Sequence, residues 1–231
     1  MIIVVISALI CSAISAALLL ALYPQYSKRV KNEKAVKKPK NQPATFKKPS
    51  KRLALYVAAM SIAICITGVV LYIYSGSDAL FAEIKAVALL SILWPTALTD
   101  YKSYRIPNPF ILLGLVYWAI ISLIELLVVG LDAVLPILGI DILMSVIVVV
   151  LIFVISLVVK GIGFGDIKLL FVMCLLLGMA RIWGALFLTL IVAFIAAVIF
   201  LATKKKGKKD LMPFAPFILA GTSIALLLMG V

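Results

Sequence analysis

Apolar runs of about 20 residues follow one another along most of this chain, and few kinds of fold can accommodate them. A run of that length crosses a hydrocarbon layer of roughly 30 Å as a helix. Inside a bilayer only helices and closed barrels satisfy their own backbone groups. Of the 231 residues 65% are hydrophobic, and the mean hydropathy is +1.27. Soluble domains run at about half apolar, so no soluble core could bury this much oil. The expected architecture is an all-α polytopic membrane bundle forming a single domain over 1–231.

Eight spans are predicted, at about 1–22, 53–74, 83–99, 109–129, up to 159, 166–180, 182–202 and 211–231. The first resembles a signal peptide in position only, because its basic residues follow it, as in a retained anchor. Residues 23–52 are Lys- and Pro-rich and read as an irregular basic loop. Gly130 to Pro136 reads as a turn, and Lys160 to Gly165 as a break before Asp166. Charge tests the count. Eleven of the 22 basic residues lie between Lys28 and Arg52, and five more between Lys204 and Lys209. With the 23–52 loop inside and the spans alternating, 20 of the 22 fall on the inner side, leaving only Lys85 and Arg181 outside. Cytoplasmic loops carry such an excess of Lys and Arg. A miscount of one span would put a main cluster outside. Both chain ends are therefore expected outside.

The net charge of +13 is not a nucleic-acid signature, since no recognised binding fold stands behind it. Beside spans, such clusters mark cytoplasmic loops with some attraction to anionic lipid. The chain has no His, and its three Cys, Cys11, Cys65 and Cys174, are isolated inside apolar runs. Ser/His/Asp and Cys/His hydrolytic arrangements are excluded, and a Cys/His zinc site is unsupported.

What remains is nine carboxylates. Glu33 and Asp210 sit in basic loops, Asp78, Glu83 and Asp132 in outer turns, and Glu125 and Asp141 near outer span ends. Asp100 and Asp166 lie at the inner ends of separate spans, where an ionisable group is a functional candidate. The plain reading of Gly163-Phe164-Gly165-Asp166 is a loop that starts a helix. It is no dinucleotide site, because no strand precedes it. Asp100 at a helix C-terminus opposes the macrodipole, a cost that some benefit must offset. Two facing carboxylates can hydrolyse a peptide without metal or nucleophile, by sharing one proton. Nearby Lys102, Arg105 and Lys168 favour activity toward neutral pH, and a rate profile confined to strongly acid pH would contradict that expectation.

Three segments then resemble a known family. They are Asp100-Tyr101-Lys102-Ser103-Tyr104-Arg105-Ile106-Pro107-Asn108, Gly163-Phe164-Gly165-Asp166-Ile167-Lys168-Leu169, and Met212-Pro213-Phe214-Ala215-Pro216-Phe217. In this order they are similar to motifs of the prepilin leader peptidases (type IV prepilin peptidases), which are GxGD membrane aspartic proteases. The resemblance implies Asp100 and Asp166 as catalytic residues. Gly163, Gly165, Lys168, Pro107, Asn108, Pro213 and Pro216 would shape the site. It also implies cleavage of pilin-like precursors at the cytoplasmic face of a bacterial cell membrane, after a short basic leader. Many bifunctional members carry paired cysteines in the first cytoplasmic loop and also methylate the new N-terminus. The 23–52 loop has no Cys, so peptidase activity alone is expected, with no zinc or other cofactor. The alternative from another class is a small transporter or structural membrane subunit with discontinuous helices.

Overall fold

The computed structural model describes residues 1–35, 51–75, 79–158, 163–202 and 213–229. Its elements are α1 (Ile2–Ala35), α2 (Lys51–Ser75), α3 (Leu80–Ser103), α4 (Asn108–Val129), α5 (Leu131–Val158), α6 (Phe164–Ala202) and α7 (Ala215–Met229). Among the described residues there is no strand, and six helices are long and apolar enough to cross a membrane. The chain is thus a multi-pass helical membrane protein.

α3 is the centre of the bundle. Of its apolar window 72% lies inside the protein, against 11% for α5. Every residue from Lys85 to Leu93 is buried, so the helix is covered on all faces. α1, α2, α4, α6 and α7 all pack on it. Polar groups tie it to its neighbours. Ser15 of α1 bonds Ser91, and the Tyr56 hydroxyl of α2 donates to the Trp94 carbonyl at 2.8 Å. α4 and α5 instead present large apolar side chains outward, among them Leu112, Leu123, Leu127, Leu143 and Leu151. A continuous exposed apolar surface of this kind fits lipid contact.

α6 is bent at Gly178, whose φ of 67° and ψ of 176° lie outside the helical region. Two adjacent residues of α7 show how sharp the bend is. The Thr222 hydroxyl reaches the Met173 sulfur at 3.8 Å. A Cβ on Gly221 would lie 2.4 Å from the Thr189 backbone. In a straight helix Met173 and Thr189 would stand about 24 Å apart. The two arms, 164–177 and 179–202, therefore fold back beside each other, and α7 lies against both. They correspond to the sixth and seventh predicted segments.

Several expectations are corrected. The irregular loop was predicted to begin at 23, but α1 continues to Ala35. Residues 25–35 hold neither Gly nor Pro, and Lys, Arg, Gln and Glu are good helix formers. Residues 36–50 and the 204–209 cluster lie outside the described residues. The turn expected over Gly130 to Pro136 is Gly130 alone, with φ 107°, and Pro136 sits inside α5. α3 is longer at both ends than the 83–99 predicted, and Asp100 falls within its last turn. α6 opens at Phe164, two residues before Asp166.

Candidate active site

α3 ends just after Asp100. Tyr104 takes a left-handed conformation (φ 52°, ψ 36°), and its N–H donates to the Asp100 carbonyl at 2.8 Å. The return segment runs through Ile106 and the buried Pro107, whose extended backbone enters α4. Asn108 is exposed at the start of that helix.

The second segment begins at Gly163. The Asp166 N–H donates to the Gly163 carbonyl, and the Gly163 N–H donates to Asp166 Oδ2 at 3.2 Å. This is half of a capping box: Asp166, in the third helical position, reaches back to the cap N–H, while Gly163 has no side chain and answers with its backbone carbonyl. The helix-starting role foreseen for Asp166 is thus met by one carboxylate oxygen. A Cβ on Gly165 would lie 3.3 Å from Ile106 Cβ. The Gly-Phe-Gly-Asp turn therefore rests directly on the segment that follows Asp100.

α7 closes the site from the third side. The Ala215 N–H, the first of that helix, donates to Asp100 Oδ2 at 3.0 Å, and the Phe214 amide also faces this carboxylate. Asp100 is buried, 5% exposed. Because the Asp166 turn rests on the segment after Asp100, the two side chains, from separate helices, share one end of the bundle.

The remaining motif residues divide. Pro213 is buried just ahead of α7, and Pro216 is its second residue. Both stiffen the entry that aims the Ala215 amide. Lys168 is exposed, with its ammonium 5.3 Å from the Phe164 ring centre, a cation–π contact on its own helix. Among the described residues, Lys168, Asn108 and Pro107 make no hydrogen bond or ion pair with either carboxylate. Among the described residues no three His, Cys, Asp or Glu side chains are gathered as a metal would need.

Sequence reasoning missed several polar partners at the opposite end of the bundle. Arg181 Nη2 donates to Glu83 Oε1 at 2.7 Å, and Lys85 Nζ to Glu125 Oε2 at 2.6 Å. Asp141 of α5 accepts from the Met179 N–H at 2.8 Å, capping the second arm of α6 at its positive end. Glu125 and Asp141 had been read as tolerable interfacial acids, and each instead has a specific partner. The signal was available: Lys85 and Arg181 were the two exceptions to the charge asymmetry, and Glu83, Glu125 and Asp141 were the acids expected nearby.

Asp100 is buried and Asp166 half-buried at one end of a multi-pass helical bundle, and the class such a bundle belongs to is given by its family. The model of the type IV leader peptidase family matches residues 87–202, and the chain belongs to that family. The matched stretch contains both Asp100 and Asp166 and ends before the Pro-Phe segment of α7. No match was found among curated proteins or among solved structures.

Proposed function

We propose that this chain is an aspartic endopeptidase of the GxGD kind, with Asp100 and Asp166 as its catalytic pair. It removes short basic leaders from type IV pilin-like precursors at the cytoplasmic face of a bacterial cell membrane. One observation carries the reading. Within the family match, the turn that carries Asp166 rests on the segment that follows Asp100, a Cβ on Gly165 lying 3.3 Å from Ile106 Cβ, so carboxylates 66 positions apart in sequence come to the same end of the bundle.

The chemistry follows from that pairing. One carboxylate, ionised, takes a proton from water as the oxygen attacks the scissile carbonyl. The other, protonated, donates to the carbonyl oxygen. Collapse of the tetrahedral intermediate breaks the C–N bond; the first acid passes its proton to the departing amine, and the second carboxylate takes one back from a hydroxyl of the intermediate. The pair titrates as a unit, so the roles belong to the dyad. The fold-back at Gly178 supports eight crossings, and eight crossings with the 23–52 loop inside place both aspartates on the cytoplasmic side with both chain ends outside. The proposed activity needs no metal or cofactor, and the Cys-free loop supports peptidase action without methyl transfer.

The test is cleavage of a pilin-like precursor by the purified chain in detergent or vesicles, read by the mass of both fragments. The account expects one cut between the basic leader and the hydrophobic helix. Intact precursor, with solute movement across the same vesicles, would support the transporter reading instead.

A further inference from the structure

Glu83 and Arg181 take no part in the chemistry above, yet they form a more deeply buried ion pair than Lys85 and Glu125. Burying such a pair carries a desolvation cost that its attraction often only matches, so stability alone is a weak reason for it. Fixing register is the better-attested use, and the positions of these two residues fit it. Glu83 lies on α3 about 25 Å of helix from Asp100, and Arg181 stands just past the Gly178 bend, at the far end of the first arm of α6, which runs roughly 17 Å from Asp166 to Leu177 at 1.5 Å per residue. α3 and α6 are therefore tied at two places, beside the aspartates and again at the Gly178 bend. At one end Gly165 rests on Ile106, and at the other Arg181 holds Glu83.

Between these ties the contact is largely aliphatic, with Val87, Leu90, Val172, Leu176 and similar side chains in one core. Such surfaces resist sliding less specifically than a buried charge pair. A slip of one helical turn, about 5.4 Å, would strand both charges and move one aspartate away from the other. Arg181 is itself anchored, because Asp141 holds the Met179 N–H two residues before it. Lys85 ties the same end of α3 to α4.

We propose that the Glu83–Arg181 pair is a positioning strut, setting the register of α3 against α6 and thereby the separation of Asp100 from Asp166. The inference rests on the catalytic pair proposed above, and its test has an arm that does not. Spin labels would be placed on cysteines introduced at Tyr101 and Lys168, both exposed, after the three native cysteines are replaced by Ala. The label–label distance is then compared between the otherwise unaltered chain and E83L/R181M, which replaces the pair by apolar side chains of similar size. The expected result is a narrow distance in the first and a broadened or shifted one in the second. In the same variants without labels, kcat falls about 100-fold, as small misplacements of catalytic groups do, while KM stays within about twofold because binding is not the lost step. Arg181→Lys, which keeps the charge and loses the planar fork, gives an intermediate result and covers the case in which the double variant does not fold. A narrow distance and full kcat in any variant that folds overturns the strut. A broadened distance in a protein whose parent never cleaves precursor sinks the catalytic reading and leaves the strut standing.

Discussion

Asp100 stands where its own helix disfavours a negative charge, in the last turn of α3. The structure shows what offsets that cost. The same carboxylate meets the first amide of α7, so it lies between the negative end of one helix and the positive end of another. Replacing Ala215 by Pro removes that N–H at a helical position where Pro is tolerated. A hydrogen bond to a charged group is worth about 1.5–3 kcal/mol, so cleavage is expected to slow by roughly tenfold or more, measured as initial rate on precursor. An unchanged rate would show that the amide does not orient the acid. At this scale the sequence was informative about anomalies and silent about partners. Asp100 and Asp166 stood out because acids are rare in apolar surroundings. The amide that holds Asp100 belongs to Ala215, a residue with no chemistry of its own, and only the Pro residues on either side marked the spot. Lys168 shows the reverse: its motif position pointed to the site, and its ammonium lies over Phe164 instead.

The elements were legible wherever apolar length decided them, and less so where backbone geometry did. The fold-back in α6 depends on Gly178, in a conformation that is essentially restricted to glycine. A Cβ there would also lie 3.0 Å from Asp141 Oδ2. Gly178→Ala is expected to cost about 1–3 kcal/mol of stability, seen as a lower thermal midpoint in detergent, and to lower cleavage because the first arm carries Asp166. A midpoint equal to that of the parent would contradict the assigned geometry. From the sequence, Arg181 interrupts the apolar run and places the boundary within a few residues. It does not reveal how sharply the backbone turns at Gly178. α1 fails in the other direction. Lysine richness and Pro24 suggested irregular chain, whereas residues 25–35 contain nothing that stops a helix, and the helix runs on to Ala35. Gly221 was not singled out at all, since a close approach to Thr189 leaves no local pattern.

For the whole molecule, the apolar pattern and the clustering of Lys and Arg carried most of the architecture. α3 at the centre was not foreseen by position, although its lower apolar content is what a helix covered by protein rather than lipid can afford. The two basic residues that departed from the charge asymmetry, Lys85 and Arg181, are both neutralised in ion pairs, which removes the electrostatic objection to their placement. Sidedness follows as an expectation. Cysteines introduced at Tyr101 and Phe164 should react with an impermeant maleimide only from the cytoplasmic side, and one at Leu131 only from the other. All three positions are exposed. Labelling of positions 101 and 164 from opposite sides would make a shared active site impossible. The central claim is that the two acids work on one water molecule as a unit, and the most direct measurement compares Asp100→Asn, Asp166→Asn and the double variant on the same precursor. Groups that act together are strongly non-additive, so each single change should lower the rate as far as both together. Near-parental cleavage by either single variant, or losses that multiply in the double, would contradict it.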